Sequence, residues 1–129
     1  MKQPTHNFNL EFRSNSSGKK LIYFYFNYGF KEFNPTIKKY VYPELKISSQ
    51  WTIDEVYWDG RPTYRANKTY VRKFGKDLNS VLDKIQETAY NQLSLYRNEY
   101  GTNPNPKELK KRILEKLNRI PKQSKRKTH

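Results

Sequence analysis

The segment 7–28 constrains this chain more tightly than any other stretch. Phe8, Leu10 and Phe12 alternate with Asn9, Glu11 and Arg13, the period-two pattern of a strand with one buried face. A run of strand-favouring residues follows, Leu21-Ile22-Tyr23-Phe24-Tyr25-Phe26. Between them, Asn15-Ser16-Ser17-Gly18 supplies turn chemistry. The two arms predict a β-hairpin with one apolar face and one basic, tyrosine-bearing face.

Register decides which residues share a face. A five-residue turn over 15–19 sets Ser14 opposite Lys20, Phe12 opposite Ile22, Leu10 opposite Phe24 and Phe8 opposite Phe26. A four-residue turn instead pairs Phe12 with Leu21 and Leu10 with Tyr23, and turns Ile22, Phe24 and Phe26 toward the polar side. A one-residue slip exchanges the faces of a strand. Burying three such side chains at roughly 1.5–3 kcal/mol each favours the five-residue turn. The open face then carries Asn9, Glu11, Arg13, Tyr23 and Tyr25, flanked by Lys19, Lys20, Lys38, Lys39 and Lys46.

Charge is distributed in a way that matches this division. The formal net charge is +14. Residues 1–53 hold eight Lys/Arg against three Asp/Glu, 54–106 hold eight against seven, and 107–129 hold ten against two. The near-neutral middle behaves as a packing element and the basic ends as electrostatic contacts. A chain this basic meets nucleic acid more often than an anionic membrane surface. The absence of cysteine excludes a disulfide framework and a thiolate metal site. The longest apolar run, 21–26, is far too short to span a membrane, and no apolar segment of signal-peptide type follows Met1. A cytoplasmic, reducing compartment fits these features.

Beyond the hairpin, 28–36 reads as a loop and 37–47 as a third strand, interrupted by Pro43 and so bulged or at a sheet edge. Residues 48–59 read as an ordered loop whose tryptophans, Trp51 and Trp58, close the end of the core. Gly60-Arg61-Pro62 marks a turn. Leu78, Val81, Leu82, Ile85, Ala89, Leu93, Tyr96 and Tyr100 then fall on one helical face. That stripe extends back through Tyr70, Val71 and Phe74 toward Asn67, across an interruption at Gly75, and Gly101 is placed to end the helix. Over 77–100 such a helix is about 36 Å long, enough to roof a small sheet. Asn105, Pro106 and Glu108 signal the start of a shorter helix over 105–120, with the stripe Leu109, Ile113, Leu114 and Leu117. Residues 121–129 read as a basic, flexible tail. The elements make an α+β chain: sheet plus long helix over 7–101, then the short helix, then the tail.

The only histidines, His6 and His129, lie at opposite ends, so no His-based catalytic constellation is readable. Asp54, Glu55 and Asp59 form one acidic cluster, better read as a solvated loop than as a metal site. The expectation is a binding module without catalysis, cofactor or metal. On the open face, Lys and Arg can neutralise phosphates. Tyr23 and Tyr25 can stack on bases or lie along the backbone, and a strand ribbon can enter the major groove. Two other readings use the same residues differently. Single-stranded nucleic acid or RNA can stack on Tyr23 and Tyr25, and the 105–120 stripe can dock a protein.

In element order the chain resembles the N-terminal arm-type DNA-binding domain of tyrosine recombinases, in particular integrases of Bacteroides-type conjugative elements. The resemblance rests on 21–26 as the second strand, on Lys38-Lys39-Tyr40 leading to Leu45-Lys46-Ile47, and on Trp51 four residues later. It rests also on Asp77-Leu78-Asn79 opening the long helix, and on Asn105-Pro106-Lys107-Glu108-Leu109. It covers about residues 7–118. It implies a three-stranded antiparallel sheet packed on the long helix, with the open face docked in the major groove of arm-type sites, and other integrase subunits as partners. Tyr25 stands where the family often has a basic residue. The aromatic 28–36 loop and Pro43-Glu44 depart from the family pattern. Catalysis in such a recombinase belongs to a larger C-terminal domain absent from these residues.

Overall fold

The computed structural model describes residues 2–119. Its centre is a three-stranded antiparallel sheet in the order β1-β2-β5, formed by β1 (Thr5–Ser14), β2 (Lys20–Asn27) and β5 (Leu45–Ile53). Between β2 and β5 the chain makes a separate two-stranded ribbon, β3 (Glu32–Asn34) with β4 (Lys39–Val41). After β5 come a single 3-10 turn (Glu55–Tyr57) and a second small ribbon, β6 (Trp58–Asp59) with β7 (Arg65–Ala66). Three helices follow: α1 (Lys68–Phe74), α2 (Asp77–Tyr100) and α3 (Pro106–Lys116). The α+β class, the antiparallel sheet and the long helix are as expected.

Local chemistry explains the helix ends. The Asn67 side chain accepts from the Tyr70 N–H at 3.0 Å and starts α1, and Gly75, at φ +94°, ends it. That conformation strains any residue with a Cβ, so the apolar stripe running through 70–82 is split into two helices. Gly101, at φ +70°, closes α2 in the left-handed conformation. Asn105 accepts from the Glu108 N–H at 2.8 Å and starts α3 with Pro106 in its first turn, while the Glu108 carboxylate turns to Arg112 at 2.9 Å.

The core lies between the sheet and the α2–α3 pair. Phe8, Ile22, Phe24, Phe26, Leu45, Ile47 and Ile53 come from the sheet, Leu78, Leu82, Ile85, Ala89 and Leu93 from α2, and Leu109 and Ile113 from α3. The α3 stripe is therefore part of this core and packs on α2 and β5. Trp51 and Trp58 pack half-buried against the core as expected, but from strands rather than a loop. Tyr28 fastens the far end: its buried hydroxyl donates to the Pro104 carbonyl at 2.8 Å. Arg97 reaches the same place, donating to the Tyr28 carbonyl at 3.0 Å and to Asn103 Oδ1 at 2.8 Å.

The hairpin turn forms as expected, with Gly18 at φ +78°, Asn15 Oδ1 accepting from the N–H groups of Ser17 and Lys19 at 2.9 Å each, and Ser14 opposite Lys20. Beyond Ser14 the pairing departs from the expected register. Three residues, 11–13, oppose the single Leu21, so Leu10 faces Ile22 and Phe8 faces Phe24. A two-residue shift keeps every paired side chain on its own face, so burial of Phe8 and Leu10 does not oppose it. Phe12, expected inward, is expelled to 92% exposure. In exchange His6 comes to lie opposite Phe26, where its Nδ1 meets the Tyr90 hydroxyl at 2.9 Å and its ring packs against Phe8, Phe24 and Tyr90.

The third strand also differs. Residues 37–47 do not form one strand. The turn at Lys38, with φ +57°, and Pro43, which lacks an N–H, divide them, and the strand paired with β2 begins at Leu45 and runs to Ile53. It carries its own bulge, with 49–51 opposing the single Ile22 and Gln50 at φ +63°. Hydroxyls hold this bulge: Ser48 Oγ accepts from the Gln50 N–H at 2.9 Å and Ser49 Oγ from the Trp51 N–H at 3.1 Å. Arg119 seals it by donating to the carbonyls of Ser48 and Ser49 at 2.5 and 3.2 Å.

Candidate functional site

The face of the sheet turned away from the helices is built from two cross-strand rows. Asn7, Tyr25 and Lys46 form one, and Asn9, Tyr23 and Ser48 the next. Alternation places them there, because their neighbours Phe8, Phe24, Phe26 and Ile47 are buried in the core. Lys46 bridges the two tyrosines, with its Nζ 4.2 Å from the Tyr23 ring centroid and 5.8 Å from that of Tyr25. The two rings lie 6.4 Å apart at 50°. Asn9 Nδ2 donates to Asn7 Oδ1 at 2.5 Å. The face therefore presents one ammonium, two half-exposed aromatic rings and two linked carboxamides, and α2 and α3 lie on the other side.

The expected site residues distribute as follows. Tyr23, Tyr25 and Lys46 come together. Arg13 is exposed within the β1 bulge, and Lys19 is exposed at the end of the turn. Lys20 is not on this face. Strand alternation puts it on the same side as Ile22 and Phe24, and its ammonium binds Glu55 at 3.1 Å. Lys38 and Lys39 do not widen the sheet, because they belong to the β3–β4 ribbon. That ribbon is an unusual surface in its own right. Its exposed side chains include Phe33, Ile37, Tyr40 and Tyr42, the Phe33 and Tyr40 rings meet edge to face at 5.3 Å, and Lys31 Nζ sits 4.6 Å from the Tyr40 centroid. It leaves from the end of β2 and returns at the start of β5, beside the row of Tyr25 and Lys46.

Sequence reasoning placed Asn9 on the open face but did not single out Asn7 or Ser48. The signal was available: Asn7 and Asn9 alternate with Phe8, so any register that buries Phe8 exposes both.

Other polar groups are committed to structure. Asp54 Oδ1 accepts from the Val56 N–H at 3.2 Å and Glu55 holds Lys20, while Asp59 stands opposite Arg65 in the backbone register of the β6–β7 ribbon. Two of the three carboxylates of the acidic cluster are thus engaged locally, and no group of three metal-ligating side chains occurs among the described residues. Arg65 also forms an ion pair with Asp83. Burial, and then the charge of Arg65, hold the His6 imidazole below its usual range. Burial of the Arg119 guanidinium lowers its pKa. Its donors are used on Ser48 and Ser49, so it is a scaffold residue rather than a surface cation. His129 and the 121–129 tail lie outside the described residues. No described helix is long and apolar enough to cross a membrane.

Comparison with family models, with curated proteins and with solved structures yields no match.

Proposed function

We propose that this chain is a duplex DNA-binding module that grips its target through the open face of the β1-β2-β5 sheet. The observation that carries this reading is the pair of rows Asn7–Tyr25–Lys46 and Asn9–Tyr23–Ser48, left uncovered on a chain of net charge +14. Each type of side chain has a task there. Lys46, Arg13 and Lys19 neutralise phosphates and release counterions. The tyrosine hydroxyls donate to phosphate oxygens and fix the register of the protein on the duplex. Asn7 and Asn9 carry the donor–acceptor pair that matches the N6 and N7 edge of adenine in the major groove. That groove admits a two-stranded ribbon, and β1 with β2 carries Asn7, Asn9, Tyr23 and Tyr25 on one. The β3–β4 ribbon, with Lys38 and Lys39 beside exposed rings, extends the grip beyond the sheet.

The finer reading is the arm-type domain of a site-specific integrase, acting during DNA integration, with other integrase subunits as partners and with catalysis in a separate domain. The sheet roofed by a long helix supports it. What the same gene encodes beyond this segment tests it: a catalytic recombinase domain is the expected finding, and any other continuation refutes it.

Duplex binding is tested by following backbone amide resonances during titration with a duplex, in competition with a single strand of the same sequence. Perturbations at residues 7, 9, 23, 25 and 46, with the duplex preferred, are expected. Preference for the single strand, together with an affinity loss of about 1–3 kcal/mol in Tyr25→Ala, turns the face into a stacking platform instead. Perturbations confined to 105–116 refute both.

A further inference from the structure

Beyond the outer edge of β5 the chain builds a second concave surface. Trp51, Tyr57, Tyr70 and Phe74, together with Lys19 and Asp54, line a cleft of about 450 Å³. It adjoins the open face of the sheet: Thr52, in its wall, pairs with Leu21 on the outward side of β2, two residues from Tyr23. The rings are held in place. Trp51 Nε1 donates to the Tyr70 hydroxyl at 3.3 Å. Tyr57 stands edge-on to Tyr70 and to Phe74, with centroids 5.8 Å apart in each case. Phe74, at the end of α1, is nevertheless 54% exposed, so an apolar ring borders the cleft without being buried by it.

Charge selects the occupant. Asp54 is occupied in holding the 3-10 turn. Lys19 lines the cleft, and Lys73 Nζ donates to the Tyr57 hydroxyl at 3.4 Å and lies 5.6 Å from the Phe74 centroid. The lining holds one ammonium and one carboxylate, with the Lys73 ammonium beside the Tyr57 and Phe74 rings, and a neutral apolar guest leaves Lys19 without a partner. A planar ring carrying an anionic group uses both the rings and the ammoniums. We propose that this cleft takes an unstacked nucleobase together with its flanking phosphate, a nucleotide subsite beside the duplex-gripping face. The proposal rests on the DNA-binding reading and adds an everted or unpaired base to it.

Two measurements test it. The first compares a fully paired duplex with one carrying a single unpaired nucleotide, using the intact chain and Phe74→Ala. The variant is expected to weaken binding of the unpaired-base duplex by about 5- to 150-fold and to leave the paired duplex unchanged. No effect, or an equal effect on both duplexes, overturns the subsite. The second adds adenosine monophosphate to the intact chain and follows the two indole N–H resonances. The signal of Trp51 is expected to shift and that of Trp58 to stay, and an unmoved Trp51 overturns the subsite without any mutation. If adenosine monophosphate shifts Trp51 but neither duplex binds, the subsite stands and the duplex reading falls. If neither binds, both fall.

Discussion

Lys46→Ala isolates electrostatic grip from scaffold. The Lys46 side chain is exposed, touches the tyrosine rings, and has no acidic partner among the described residues. Its removal therefore costs folding little, about 0.5–1 kcal/mol for an exposed cation over aromatic rings. On the candidate surface Arg13, Lys19, Lys38, Lys39 and Lys46 are likewise outside the observed ion pairs. If each neutralises one phosphate, the logarithm of affinity falls against the logarithm of salt with a slope of about −4.5. Raising salt from about 50 to about 200 mM then weakens binding about 500-fold. In Lys46→Ala the slope becomes about −3.6, and the same change weakens binding about 150-fold. Lys20→Ala is the internal control, because that ammonium binds Glu55 on the inward side; its slope stays at the parent value. Fluorescence anisotropy of a labelled duplex at four salt concentrations measures all three slopes. An unchanged slope in Lys46→Ala, or an equal drop in Lys20→Ala, refutes the assignment of the face.

Further outcomes follow from particular contacts. Asn9→Ala should relax sequence preference among duplexes by about 1–3 kcal/mol at one base pair while leaving the salt slope intact, as competition between point-substituted duplexes would reveal. Tyr28→Phe leaves the buried Pro104 carbonyl without its donor and should destabilise by about 1–3 kcal/mol, a fall in melting temperature of about 4–12 °C by calorimetry; an unchanged melting temperature counts against that tie. His6 has a pKa lowered in the folded state relative to the ordinary 6.5. The unfolded chain therefore binds its proton first, and stability falls as pH drops through 6.5 and below. His6→Gln should flatten that part of the stability profile, and an identical pH dependence in the variant contradicts it. Asn105→Ala removes the cap of α3 and should cost about 1 kcal/mol in chemical denaturation.

The helices were legible because their signals are local. Gly101, Asn105 and Pro106 mark their own positions, and the 78–93 stripe repeats often enough to fix one face. The hairpin faces were legible for the same reason, but not the pairing between them. A shift of two residues changes partners without changing sides, so alternation is blind to it, and His6 meeting Tyr90 depends on a residue 84 positions away. The path of β5 was obscured because Ser48, Ser49 and Gln50 break its apolar rhythm at the bulge, which Arg119 seals from about 70 positions away. Of the candidate site, Tyr23, Tyr25 and Lys46 were readable from alternation. Lys20 was misplaced although it shares parity with Ile22, and that count alone puts it on the inward side.

The two bulges fall level with each other, at Leu21 on one side of the central strand and Ile22 on the other. A sheet of three strands has two outer edges, and a long, straight edge is a template on which another chain can add a strand. Here both edges are broken at the same height, and on β5 the carbonyls of Ser48 and Ser49 are occupied by Arg119. Neither side offers an unbroken ladder to a newcomer. The irregularities that cost the hairpin its simplest pairing thus guard the chain against edge-to-edge aggregation.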